Sequence, residues 1–447
     1  MNFKRLCSKV IIAVFMTTAI ISGSISQVKC AEMTEGNLKS KVVPLSTVKA
    51  GNGFHDLNSL QTILKDKKIV AVGEATHGTK EFFQMKHRMF EFLVEKMGFR
   101  LFGIEAAFGE CRAINDYILY GKGKAEDVVK GMGFWTWSTK EVVDMVQWMR
   151  AYNEDPKHKT KIKFYGFDMQ SANRDKEIIL NYMKKVDNKS LKNYNDSLAK
   201  FNDYNIASFN VNELTTIKNK AQALGTDFEK NKNQYILKSS KGEYEIIQQH
   251  LNIINQCLDL TIKNKGFMAN GSRVRDYYMA QNVKWILNYE KQFGNDKIML
   301  WAHNGHVAKK FPSYVSMGQN LKTIFKDDVY VIGQEFYKGS FRAVPHSIFP
   351  TSGPNSSRLK EFNIESSYSN TFAYKLEKAN VPLYFIDFKE ASKDKDIDKW
   401  LSENQLVHEI GATYSQIFQS MSLCPQVPKE AFDGIIFIRE TSAAVGI

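Results

Sequence analysis

Seven short runs rich in β-branched and aromatic residues, each separated from the next by helical patterning, constrain this chain more than any other feature. They cover residues 68–73, 100–105, 161–168, 297–303, 328–335, 382–387 and 433–439. Strands that alternate with helices are joined by long crossovers, so they lie parallel and bury both faces of their sheet under helices. The expected fold class is therefore α/β, with a largely parallel central sheet flanked by helices. Between residues 173 and 296 the strand signal disappears, and apolar residues recur at helical spacing: Ile178, Ile179, Tyr182 and Met183, then Tyr244, Ile247, Leu251, Ile254 and Leu258. This divides the chain into a first part of the α/β core (32–172), a helical insertion or cap (173–296) and a second part of the core (297–447).

Residues 1–31 read as a signal peptide, with Lys4, Arg5 and Lys9 ahead of a short apolar stretch, followed by small and polar residues. Export is the expectation, with no stable membrane insertion after cleavage, because no later run is long and apolar enough to span a bilayer. Loss of Lys4, Arg5, Lys9 and Lys29 lowers the formal charge from +13 to +9. The remaining basic residues are scattered among acidic ones, which argues against a nucleic-acid partner. Cys111, Cys257 and Cys424 are too few and too widely spaced for a disulfide framework. Nothing in the sequence sets the oligomeric state.

Ligands of open parallel sheets bind beyond the carboxyl ends of the strands. Here those ends run into Glu74 and His77, Glu105, Asp168, His303 and His306, Glu335 and Asp387. Strand, Glu74-Ala75-Thr76-His77, helix and a strand ending at Glu105 also parallel strand, His303-Asn304-Gly305-His306, connection and a strand ending at Glu335. An internal duplication of the strand-motif-helix unit would bring two half-sites together.

The helix after the first motif carries Phe82, Met85, Met89, Phe90, Leu93 and Met97 in one apolar stripe with Lys86 at its centre. A lysine there either snorkels outward or pairs with a site carboxylate, for which Glu105 is the candidate. His87 and Arg88 project away from the stripe and are expected at the surface. Ser138 and Glu141 fit a capping box for the next helix. The aromatic loop before it, Gly133-Phe134-Trp135-Thr136-Trp137, is either core packing or an apolar wall for a bulky ligand, with Trp135 as the candidate contact. Arg273 and Asp276 are spaced to pair on a helix surface; the alternative is that Arg273 reaches a substrate oxygen.

No Gly-x-Ser-x-Gly elbow occurs, and no cysteine sits in a nucleophile context. Hydrolysis therefore calls for activated water, with His77 as general base and Glu74 or Glu105 fixing its tautomer. Two alternatives stand beside this one. The same Glu and His residues could hold a metal, although His303 and His306 lack the helical HExxH spacing of zinc proteases. The chain could also be a secreted binding protein without turnover. The leading expectation involves neither metal nor cofactor.

The segments VGEATHGTKEF, MKHRMFEFLVEKMGF, GIEA, FYGFDMQS, RDYYMAQNVKWI and MLWAHNGHVAK resemble the erythromycin esterase family, which also includes succinoglycan biosynthesis-like proteins. The resemblance reaches from about Ile69 to past Lys310. It implies water-mediated cleavage of a small-molecule ester or lactone, possible macrolides included, with His77 at the position of the family base and Glu74 and Glu105 at its carboxylates. His303 and His306 match the family's second histidine pair. Lys86 stands where macrolide-resistance members carry arginine, a departure that bears on the substrate.

Overall fold

A computed structural model describes residues 35–203, 205–265, 270–346 and 358–447 of the 447-residue chain. The signal-peptide expectation for residues 1–31 lies outside the described residues. All seven sequence-predicted runs form strands. Numbered along the chain, the strands are β1 (Val43–Pro44), β2 (Ile69–Val72), β3 (Leu101–Ala107), β4 (Lys163–Asp168), β5 (Ile298–Trp301) and β6 (Val329–Pro345). β7 (Lys360–Ile364), β8 (Leu383–Asp387), β9 (Gln405–His408), β10 (Thr413–Tyr414), β11 (Leu423–Gln426) and β12 (Gly434–Thr441) complete the set.

The main sheet runs β1-β8-β12-β6-β2-β5-β3-β4, with β7 and β10 paired to the long β6; β9 and β11 form a separate pair. From β12 to β4 every neighbouring pair is parallel, whereas β8 is antiparallel to β12 and β1 to β8. The α/β reading thus holds, with an antiparallel margin at one edge.

Alternation along each central strand divides the interior into two layers. Ile69, Ala71, Leu101, Ile298, Leu300, Val329 and Val331 face one layer, and Val70, Val72, Phe102, Ile104, Met299, Trp301 and Ile332 face the other. The described chain from Asn173 to Lys291 is helical apart from its connections. Its Ile179, Leu258 and Val283 share the first layer with the sheet, so these helices pack on the sheet itself. The second layer is filled by helices Lys80–Met97, Arg112–Tyr120 and Lys140–Glu154.

Three local expectations are corrected. His87 and Arg88 are buried, because helix Lys80–Met97 is covered on more than its apolar stripe. Arg88 donates to both Asp56 oxygens at 3.1 and 2.5 Å and to the carbonyls of Thr47 and Gly53; His87 packs against Trp148, and burial lowers it to about 4. The cap of helix Lys140–Glu154 is Thr139, whose hydroxyl accepts from the Val142 amide, not Ser138. Glu141 instead turns to the Val445 amide near the far end of the chain.

The two similar motifs follow adjacent strands, β2 and β5. The strand completing the first unit, β3, lies outside β5, and the strand completing the second, β6, lies outside β2. The two units are therefore interleaved about the central β2–β5 seam.

Candidate active site

The seam is closed by a backbone approach that only glycine permits. A Cβ on Gly73 would stand 2.2 Å from Asn304 Oδ1, and Asn304 in turn donates from its amide to the Glu74 carbonyl at 2.9 Å. The turns after β2 and β5 are thereby pressed together, and their histidines meet: the rings of His77 and His303 lie 5.0 Å apart.

Glu74 is wholly buried and serves three donors. Its Oε1 is 2.7 Å from His77 Nδ1, while Oε2 accepts from Lys86 Nζ at 2.5 Å and from Trp301 Nε1 at 2.9 Å. Burial pushes its carboxyl up, but Lys86 and His77 outweigh this and hold it below the usual range. Burial pulls Lys86 down to about 8 against the pull of Glu74 and Glu105, which leaves it charged at neutral pH. The expected Lys86–Glu105 pair is corrected: the partner is Glu74, with the ammonium 4.7 Å over the Trp301 ring.

Nδ1 is committed to Glu74, which is the one side-chain hydrogen bond of His77 among the described residues, and the side chain keeps 11% exposure. Trp137, not Trp135, meets this ring edge-on at 5.8 Å and donates its Nε1 to the Glu105 carbonyl at 3.2 Å. Trp135 is half-buried two residues earlier.

Glu105 links this group to a second one. Its Oε2 accepts the His303 amide at 2.9 Å; its Oε1 accepts Arg275 Nη2 at 2.7 Å and lies 3.2 Å from His306 Nε2. Burial would raise Glu105, yet His306 and Arg275 hold it well below the ordinary carboxylate value. Arg275 also forks onto Asp168, with Nη2–Oδ2 at 2.6 Å, and its Nη1 stands 2.8 Å from His306 Nε2. That approach favours a neutral ring, whereas Asp276, whose carboxylate faces His306 Nδ1 at 2.9 Å, favours the imidazolium. Burial opposes the charge, but Asp276 and Glu105 prevail and raise His306 to about 10. His303 is likewise raised: Glu409, 3.0 Å from its Nδ1, outweighs burial.

Of the residues singled out in the sequence, Glu74, His77, Lys86, Glu105, Asp168, His303 and His306 converge. Arg273 does not. It is exposed and lines a separate cleft of about 380 Å³ with Tyr277, Tyr278 and Lys263. Asp276 is buried against His306 and the Met317 amide, so the expected surface pair is not formed. Sequence reasoning missed Arg275, Asp276 and Glu409 as site residues. Arg275 had a signal, since it sits four and eight residues ahead of the buried Met279 and Val283, on the inward face of the helix. Asp387, another acidic strand end, caps the short helix that follows it and accepts from Tyr330. Among the described residues, no group of three or more His, Cys, Asp or Glu side chains stands in metal-ligating geometry.

The sequence profile described as erythromycin esterase matches residues 94–441. Erythromycin esterase type II of Escherichia coli is 26% identical over 433 residues, covering 91% of this chain and 97% of the relative. A crystal structure of a Bacillus cereus protein, 26% identical, superposes with a TM-score of 0.80 over 92% of this chain and 98% of its own. An erythromycin esterase mutant in its open conformation shares the fold at 16% identity, with a TM-score of 0.65 over 87% and 94% of the two chains. The matched region extends over most of the sequence and includes the strand ends at Glu105, Asp168, His303 and His306, with Glu74 and His77 lying ahead of it; this shows that the chain belongs to the erythromycin esterase family.

Proposed function

We propose that this chain is a carboxylic-ester hydrolase that uses His77 as a general base on water, with a macrolide lactone as its leading substrate class. The observation that carries the reading is the Glu74–His77 contact of 2.7 Å at Nδ1, which is the one side-chain hydrogen bond of His77 among the described residues and leaves Nε2 uncommitted. A carboxylate on Nδ1 fixes the tautomer in which Nε2 holds the lone pair, and it supports the imidazolium that forms.

In the proposed reaction, a water at Nε2 gives its proton to the ring as its oxygen attacks the ester carbonyl carbon. The tetrahedral adduct then collapses with cleavage of the carbon–oxygen bond to the alcohol. The proton held on Nε2 passes to the departing alkoxide, so an acid and an alcohol leave and the base is restored. Arg275 supplies a fixed positive charge behind Glu105. The macrolide assignment draws on the name of the Escherichia coli relative.

Export is part of the proposal, supported by the charge and apolar pattern of residues 1–31. No described helix is long and apolar enough to cross a membrane. Amino-terminal sequencing of protein recovered from culture medium tests it: a start near residue 31 is expected, and an intact Met1 in the cell fraction alone would refute it.

Incubation with erythromycin and a panel of lactones and simple esters, followed by mass spectrometry, tests the reaction. Gain of one water by a substrate, abolished in His77→Ala, is the expected result. No product from any ester would overturn the hydrolase reading, and turnover of esters other than erythromycin would remove only the macrolide part.

A further inference from the structure

Glu335 belongs to the repeated strand-end pattern, yet the proposed reaction gives it no role and it lies apart from the group around Glu105. It ends the central part of β6, as Glu105 lies on β3, and it is wholly buried. Its carboxylate clamps His408: Oε1 is 2.7 Å from His408 Nδ1 and also accepts the neighbouring Phe336 amide at 3.1 Å, and Oε2 accepts the His408 amide at 3.1 Å. The His408 ring also stacks on Phe336 at 5.0 Å. Glu105 grips the amide of His303 in the same way.

The three residues after His408 each touch the reaction centre, so the clamp fixes the start of a segment that bears on both histidines. Glu409 Oε2 lies 3.0 Å from His303 Nδ1. The Ile410 amide donates to the Ala75 carbonyl at 2.9 Å. Gly411 accepts the His77 amide at 3.3 Å and donates its own amide to His303 Nε2 at 3.2 Å. Gly411 has φ of +62°, a left-handed conformation natural to glycine, and it lets one residue serve both histidines. On the other side, Glu409 is fixed by the Ser422 carbonyl and by Gln426.

We infer that Glu335 and His408 form a positioning pair for the reaction, holding the segment 408–411 in the register that aims His77 and His303. The inference rests on the hydrolytic reading for its kinetic consequence and on geometry alone for its structural one. Neither residue touches the reacting atoms. Their effect passes through Glu409 and Gly411, and a displacement of about 1 Å in such a support costs on the order of 10²-fold in rate.

The test compares His408→Leu, which loses the side-chain donor, with His408→Asn, whose amide donates from nearly the position of Nδ1. Two readouts are taken on the full-length folded protein: kcat and KM on an ester it hydrolyses, and the imidazole NMR resonances of His77 and His303 without substrate. His408→Leu is expected to lower kcat by about 10- to 10²-fold with KM within about twofold, and to move both sets of resonances. His408→Asn is expected to restore both toward the native values. If His408→Leu does not fold, Glu335→Gln, which conserves shape and one acceptor oxygen, carries the same expectations. Native kcat with unmoved resonances in a folded variant would overturn the inference. Absence of any hydrolysis would remove the hydrolytic reading while the resonances still decide the positioning role.

Discussion

Lys86 Nζ lies 2.5 Å from Glu74 Oε2 with both side chains fully buried, so the carboxylate that orients His77 is also the counter-charge of a lysine in the core. Removing Glu74 leaves Lys86 without its ion pair, and removing Lys86 leaves a buried Glu74 carboxylate with only His77 and Trp301 as donors. Lys86→Met is expected to destabilise the fold by about 3–5 kcal/mol, the usual cost of a buried charge left without its partner. Lys86→Arg keeps the charge and should lose much less. Urea denaturation of the two variants checks this, and equal midpoints would show that the pair contributes no stability.

His77→Ala is expected to lower kcat by about 10²- to 10⁴-fold, the range for loss of a general base. The melting temperature should change little, since the ring is partly open and its one side-chain hydrogen bond goes to Glu74, which keeps Lys86 and Trp301. Turnover near the native rate would exclude His77 as the base.

Two arginines two residues apart should behave in opposite ways. Arg275 is shared by Glu105, Asp168 and the His306 ring, and an ammonium cannot reproduce its fork. Arg275→Lys should therefore lower kcat/KM by at least about tenfold, by analogy with loss of a buried charge-assisted contact. Arg273→Ala, on the exposed face, should stay within about twofold of native, as surface substitutions do. A reversal in side-by-side kinetics would place the substrate in the cleft beside Tyr277.

A pH dependence arises from Glu110. The Ser171 hydroxyl lies 2.9 Å from Glu110 Oε1 and 2.7 Å from Asp203 Oδ2, and it has one hydrogen to give. Asp203 also accepts the amides of Ala172 and Asn173, so Glu110 competes with it for the single Ser171 hydrogen. Burial, then the neighbouring Asp175, push Glu110 from its ordinary 4.5 up to about 8. Between these values the folded chain holds a proton that the unfolded chain has lost, so stability falls as pH rises through the window. Glu110→Gln mimics the protonated acid. Its melting temperature should match native near pH 5 and exceed it by at least ~2 °C near pH 9; parallel curves for the two proteins would refute the assignment.

Much of the site was legible because polar residues at the ends of buried strands have one place to go. Glu74, His77, Glu105, Asp168, His303 and His306 each follow a run whose burial and parallel order the pattern determines. Lys86 was legible as a lysine that must either snorkel outward or find a counter-charge, and burial decided for the pair. Its partner was not legible, because Glu74 and Glu105 both lie within a few turns along the chain and only the packing distinguishes them. Arg275 was legible in principle from helical phase, yet the i, i+3 spacing of Arg273 and Asp276 suggested a simpler pair.

Glu409, Gly411 and His408 carry no comparable mark. Glu409 and Gly411 reach His77 and His303 from more than a hundred residues away, in the connection after β9 that His408 ends, and their roles depend on where that segment crosses the sheet. The sequence by itself determined seven strands of the main sheet, which of their ends bear chemistry and that a buried lysine needs an anion, since these are consequences of local pattern and the cost of burying charge. Only the tertiary structure decided which anion, which arginine and which loop complete the site. Such choices are set by distances of a few ångströms between segments far apart in the chain, and no local rule encodes them.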